Sequence, residues 1–229
     1  MKTALHVLRS PLVSTALVLL LIYGFSCWKF PKFGSAFNFV AMLQQHADLG
    51  IVAAGVTLVI LSGGIDLSVG AAIGLGTILM AVMMEHHVSA AVSILTVILL
   101  LGVGGAVQGL IVHLFVVPPF LITLGGMFLY RGVALLISTE QIPVKDKGFE
   151  ALTDFSFRLF PSLHLKPQPS VMLPGLMLVG VLVATGVILR WTRFGRNAYA
   201  VGGSEGSALL MGLPVARTKV GVYAWSGLG

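Results

Sequence analysis

The chain has 229 residues, 57% of them hydrophobic and 10% charged, with a mean hydropathy of +1.00. That composition excludes a soluble globular domain and marks a polytopic membrane protein. The net charge of +6 comes from basic residues at the ends and loops of apolar segments, without interleaved aromatics, which is membrane topology and not nucleic-acid recognition; the single Cys27 excludes an internal disulfide framework.

Apolar segments able to cross about 30 Å of hydrocarbon are predicted at Pro11 to Trp28, Phe37 to Ser62, Leu67 to Met84, Val88 to Phe115, Phe120 to Ser138 and Val171 to Arg190. They make an all-α transmembrane helical bundle of about six spans. A further span begins at Val220 and stops at Gly229, so the single transmembrane domain, 1–229, is expected to be incomplete at its C-terminus. Lys2 and Arg9 precede the first span and no small-residue cleavage site follows it. An uncleaved signal anchor with a cytoplasmic N-terminus is the expectation. Gly24-Phe25-Ser26-Cys27 lacks the aliphatic residue of a lipoprotein box, and Cys27 reads as an ordinary buried apolar residue.

Parity then returns the chain to the cytoplasm after Arg190, so 191–219 forms a cytoplasmic segment where Arg193, Arg196, Arg217 and Lys219 face only Glu205. The stretch 139–170, with Pro143, Pro161, Pro167 and Pro169, becomes the external loop. Lys145, Lys147, Arg158 and Lys166 lie there beside Asp146, Glu150 and Asp154, and Lys29 and Lys32 also fall outside.

Within the spans, Gly70 with Gly74, Gly102 with Gly105 and Gly109, and Gly125 with Gly126 allow close helix packing, and Gln44, Gln45 and Gln108 suit interhelical hydrogen bonds. Gly63-Gly64-Ile65-Asp66 stands apart. A carboxylate at a span centre costs roughly 2.5–3.5 kcal/mol, so Asp66 is expected to face a cavity, a partner or the bundle interior. One reading unwinds the helix at the glycine pair to line a path. The other makes the pair a tight cytoplasmic turn with Asp66 as N-cap of the next span.

The six histidines, His6, His46, His86, His87, His113 and His164, are scattered without a ligand set, so no metal is expected. No G-x-x-x-x-G-K-[ST] loop occurs, so this chain is not expected to bind ATP, and no catalytic set is apparent. Three rival classes remain open: an intramembrane aspartyl protease using Asp48 and Asp66, an ion- or proton-coupled secondary transporter using Asp66, and a binding-only membrane scaffold.

Three blocks carry a resemblance. GGIDLSVG at Gly63 to Gly70, PPFLITLGGMFLYRG at Pro118 to Gly132 and RFGRNAYAVGGSEGSALLMGL at Arg193 to Leu213, in that order, resemble permease subunits of ribose-type ATP-binding-cassette sugar importers. With LISTEQIPV at Leu136 to Val144, the chain is most similar to a galactofuranose importer permease. The resemblance implies a transport subunit, not an enzyme, in a bacterial cytoplasmic (inner) membrane. It also implies a second permease, identical or related, a separate cytoplasmic ATPase that binds the ATP, and an external or periplasmic sugar-binding protein. No nucleic acid and no cofactor of this chain's own are implied.

The pathway candidates are Gly63, Gly64, Asp66, Ser68, Gly70, Thr123 and Arg131. Carboxylate, hydroxyl and guanidinium groups recognise sugar hydroxyls, although Arg131 could equally snorkel to the interface or neutralise Asp66. The ATPase-coupling candidates are Arg193, Gly195, Arg196, Tyr199, Gly202, Gly203, Glu205, Ala208 and Gly212, in which Glu205, Ser207, Ala208 and Gly212 resemble a degenerate E-A-A-x-x-x-G element. Such an element implies a short helix ending in glycine, with small surface residues that dock on the ATPase. Ser204 stands where family members often carry asparagine. The resemblance implies further spans beyond Gly229, so a nonfunctional truncated permease is a further alternative expectation.

Overall fold

The computed structural model describes residues 11–140, 142–144, 146–153, 155–158 and 170–228. Lys2, Arg9, Lys145, Lys166, Asp154, His6, His164, Pro161, Pro167, Pro169 and Gly229, which enter the topological reading, lie outside the described residues. The chain divides into two compact units, Met1–Gln45 with Ser156–Val171, and His46–Phe155 with Met172–Gly229.

In the first unit, helix α1 spans Pro11–Lys29 and helix α2 spans Ala36–Gln45. Helix α1 exposes leucines in succession, Leu19, Leu20 and Leu21, as a helix solvated by lipid does. Ser35 opens α2 by accepting the Asn38 N–H at 3.2 Å, and the Tyr23 and Phe33 rings lie 5.6 Å apart. Gln44 donates to the Ser170 carbonyl at 2.7 Å, so one of the expected polar ties has a partner across the unit. Cys27 is only half-buried.

The second unit contains helices α3 (Ala47–Leu61), α4 (Val69–Glu85), α5 (Ala90–Leu114), α6 (Pro119–Ile137), α7 (Lys147–Thr153), α8 (Leu173–Trp191), α9 (Arg193–Gly203), α10 (Glu205–Leu210) and α11 (Val215–Leu228). A short strand pair, β1 (Ser156–Arg158) with β2 (Ser170–Met172), comes between α7 and α8 in sequence and, but for Met172, belongs to the first unit. The described residues include three helices long and apolar enough to cross a membrane, α5, α6 and α8, and four if α2 and α3 count as one span; α4 and the Val13–Lys29 part of α1 are shorter apolar stretches. The sequence predicts one span from Phe37 to Ser62, whereas the structure interrupts it at His46, whose φ of −114° and ψ of 20° leave the helical range. The last span starts at Val215, five residues before its expected start, so Arg217 and Lys219 belong to a helix and not to the segment before it.

The unit is organised about α11, which packs along α5 and α3. Glycines make this possible. A Cβ at Gly105 would collide with the Tyr223 carbonyl, one at Gly227 with the Leu101 carbonyl, and one at Gly109 would lie 2.9 Å from the Lys219 carbonyl. Lipid offers no hydrophobic drive for helices to associate, so such backbone proximity supplies the dispersion and weak hydrogen bonds that hold them. Leu58 and Val59 of α3, Ala198 of α9, and Val222 and Tyr223 of α11 form the buried core, with Ile188, Leu189, Phe194 and Trp225 against it. By contrast Gly70, Gly74 and Gly125 meet nothing within 4 Å among the described residues.

Candidate functional site

The break between α3 and α4 is built by a helix-terminating motif. Gly63 adopts a φ of 80°, its N–H donates to the Ile60 carbonyl at 3.0 Å, and the Gly64 N–H donates to the Val59 carbonyl at 2.9 Å. This is a Schellman cap with glycine at the left-handed position. Gly64 is excluded from bearing a side chain for a different reason, since a Cβ there would lie 2.5 Å from the Tyr223 hydroxyl.

From Gly64 to Ser68 the chain has no regular secondary structure, and Val69 resumes the helix after Ser68, whose φ of −81° and ψ of −17° are already helical. Asp66 is therefore not the N-cap of α4, which is Ser68. It sits two residues earlier, where Oδ1 accepts the Ser68 N–H at 2.9 Å and the Ser68 Oγ–H at 2.7 Å. Its other oxygen accepts the Ser226 Oγ–H of α11 at 2.8 Å. The same Ser68 Oγ–H is shared with Gln108 Oε1 at 3.2 Å, and Gln108 Nε2 donates to the Tyr130 oxygen at 3.1 Å. A continuous polar network thus joins α4, α5, α6 and α11 inside an apolar bundle.

Thr123, fully buried, divides its hydroxyl proton among the carbonyls of Pro119, Ile65 and Phe120 at 3.1, 3.2 and 3.3 Å, and so ties α6 to the break. Tyr223 Oη also donates to the Ile65 carbonyl, at 3.4 Å. Gly70 is exposed and unpacked. Arg131 is exposed and forms no ion pair with Asp66, because the next residue back, Tyr130, turns toward the network, and successive helical side chains point about 100° apart. Asp48 lies in the first turn of α3 and Asp66 beyond its last, roughly 20 Å apart along the axis, so the two carboxylates cannot share a proton.

Two cavities flank the break. One, of about 130 Å³, is lined by Asp66, Ser68, Tyr130 and Ser226 among apolar residues. The other, of about 250 Å³, is lined by Gly63, Gly64, Tyr223 and the ion-paired Glu205 and Lys219. The Ile65 carbonyl, held by Thr123 and Tyr223, belongs to the strip of backbone between them.

The segment after α8 folds onto this break. Thr192 caps α9 by accepting the Gly195 N–H at 3.1 Å, and Gly195 lies so close to the Ile188 carbonyl that a Cβ would collide with it. At the other end of α9 a Cβ on Gly202 would collide with the Leu61 carbonyl, while Gly63 lies against the Gly202 α-carbon. Ser204 caps α10 by accepting the Ser207 N–H at 3.2 Å, a role asparagine fills equally well. Gly212, at a φ of 73°, closes α10 in a second Schellman cap, with Leu213 N–H donating to Ala208 and Gly212 N–H to Leu209.

Glu205 pairs with Lys219 at 2.6 Å. Gly195 and Ala208, expected on a docking surface, are buried, and Ala208 packs between Val201 and Val215. The exposed face carries Arg193, Arg196, Tyr199 and Gly203, extended by Leu209, Leu210 and Met211, of which Leu210 is 91% exposed.

The sequence reading missed Ser226 as a partner of Asp66 and Tyr130 as the far end of its network, and treated Gln108 only as a generic tie. Tyr130 lies inside the block Pro118 to Gly132 that the reading used, one residue from Arg131. Ser226 had no local signal.

A sequence profile described as branched-chain amino acid transport system / permease component matches residues 38–229. The chain is 35% identical over 217 residues to the inner membrane ABC transporter permease protein YjfF of Escherichia coli, covering 94% of this chain and 64% of that protein. It is 36% identical over 198 residues to the ribose import permease protein RbsC of Bacillus subtilis, covering 86% and 59%. It is 38% identical over 192 residues to the fructose import permease protein FruG of Bifidobacterium longum, covering 81% and 55%. The chain thus spans about three fifths of the length of these curated relatives. No solved structure matches it significantly.

Proposed function

The chain belongs to the family of branched-chain amino acid transport system / permease components, within its ribose-type ABC importer branch, and from that premise we propose that it is the membrane conduit through which an ATP-driven importer carries a monosaccharide into the cytoplasm. The observation that carries the reading is the unwound Gly63–Ser68 segment, which presents an uncharged-bundle interior with one carboxylate beside a cavity. Discontinuous helices that bring backbone and polar groups to a central site are a recurrent transporter device.

In this reading the chain supplies the path, and a separate ATPase binds and hydrolyses ATP. The exposed face of α9 and α10 is where that ATPase docks, and the segment's glycine contact with the break carries its motion toward Asp66. A sugar-binding protein delivers substrate from the opposite side, and a second permease, identical or related, completes the conduit. The N-terminus is cytoplasmic and the stretch 139–170 external. A furanose sugar such as ribose or galactofuranose is the substrate class favoured by the sequence blocks.

The test is uptake of radiolabelled sugars by cells expressing this chain with its ATPase and binding protein, in parallel with Asp66→Asn and with an ATPase that cannot hydrolyse ATP. Uptake lost with the dead ATPase supports the importer. Uptake that persists with it and depends on the proton gradient and on Asp66 identifies a secondary transporter instead.

A further inference from the structure

Asp66 has no cation to balance it: among the described residues the ion pair formed is Lys219–Glu205, on the far side of the break. A carboxylate offers about four lone-pair positions. Three of Asp66's are occupied, two on Oδ1 by Ser68 and one on Oδ2 by Ser226, so an acceptor site on Oδ2 is open. Tyr130 stands in the complementary condition. Its oxygen accepts from Gln108 Nε2, and no acceptor among the described residues takes its own proton. Both groups line the same cavity, whose volume of about 130 Å³ is far above the ~10–15 Å³ that admits one water.

The cavity is also constructed to keep the phenol there. A Cβ at Gly104 would collide with the Tyr130 hydroxyl, and one at Gly126 would lie 2.5 Å from Gln108 Nε2. Both glycines thus leave space for this hydrogen-bonded pair. Val69, Ile73 and Ile98 supply apolar wall.

We propose that this cavity is a monosaccharide subsite in which Tyr130 donates to one sugar hydroxyl and Asp66 Oδ2 accepts from another, so that Tyr130 determines which hydroxyl pattern is carried. The assignment rests on the importer reading above. The C–H face of the sugar ring meets the aliphatic wall, while one donor and one acceptor read two hydroxyls, which is the economy a low-affinity transit site requires. A site built to hydrogen-bond a hydroxyl discriminates against the analogue lacking it, because the protein group is then left unpaired.

The experiment measures uptake of a panel of radiolabelled aldopentoses, aldohexoses and ketohexoses, each beside its monodeoxy analogues, by cells expressing the full chain with its ATPase and binding protein. Rates are normalised to the chain in the membrane. Tyr130→Phe is expected to slow the preferred sugar roughly fivefold, the value of one neutral hydrogen bond, and to erase its advantage over one particular deoxy analogue. Gln108→Glu, which turns the amide donor into an acceptor for the phenol proton, is expected to erase the same advantage with the ring retained, and it decides the matter if Tyr130→Phe fails to accumulate. An equal slowing of every sugar and analogue would make the phenol a structural tie and overturn the proposal. So would unchanged discrimination in both variants. Absence of uptake by the native complex would instead remove the importer reading and this assignment together.

Discussion

Asp66 shows how a charged residue is tolerated in an apolar bundle: it is hydrogen-bonded by a backbone N–H and two serine hydroxyls, one from its own turn and one from a helix 160 residues away in sequence. Ser226→Ala removes the distant donor and is expected to destabilise the chain by about 1 kcal/mol, within the range measured for interhelical hydrogen bonds in membranes. Denaturant unfolding in detergent would measure this, and an unchanged midpoint would mean that water replaces Ser226. A second residue-scale case is His87, which occupies the left-handed position of a Schellman cap at a φ of 63°, with Val88 N–H donating to Met83 and His87 N–H to Met84. The His86-His87 pair therefore ends α4. Because a side chain costs about 1–2 kcal/mol in that conformation, His87→Gly should raise stability by roughly 1 kcal/mol, less the added chain entropy of glycine. A fall in unfolding temperature would show that the imidazole makes a compensating contact.

At the scale of elements, the glycines sort into three roles that their spacing alone does not distinguish. Gly105 and Gly227 permit α5 and α11 to meet backbone to backbone, Gly63 and Gly212 terminate helices, and Gly70 and Gly74 face open space. Gly105→Ala should cost roughly 1–3 kcal/mol by overpacking against Tyr223, whereas Gly74→Ala should gain about 0.5–1 kcal/mol through lower chain entropy and better helix propensity. Comparing the two by thermal unfolding checks the packing directly; equal effects would contradict the close α5–α11 approach. Gly202 joins the α9 end to the α3 end through backbone contact, so Gly202→Ala should disturb the break although it lies outside it. Loss of uptake with the ATPase still co-purifying is the expected pattern, and full uptake would mean that the two elements move independently.

At the scale of the molecule, burial divides the segment after α8 between support and surface. Gly195, Ala208 and Val201 face inward, while Arg193, Arg196, Tyr199 and the Leu209–Met211 tip face outward. Leu210→Glu leaves the core untouched and is expected to abolish co-purification of the ATPase without changing the unfolding temperature. Retained ATPase would shift the docking site elsewhere. Membrane class, the limits of most helices, the break at Gly63-Gly64 and the family were legible in the sequence, because apolar runs, glycine pairs and charged punctuation are local signals. The His46 interruption and the early start of α11 were not, since neither carries a strong breaker. The inward turn of Ala208 and the choice of Tyr130 over Arg131 depend on which face of a helix meets a neighbour. By itself, the sequence determined that Asp66 follows a helix-breaking glycine pair between two apolar segments, because glycine pairs and a lone carboxylate are local signals, and it left open whether the break is an unwound stretch or a tight turn. Only the tertiary structure decided the network around it, because Ser226, which bonds Asp66, and Gln108 and Tyr130, which reach it through Ser68, lie on three other helices that packing brings together.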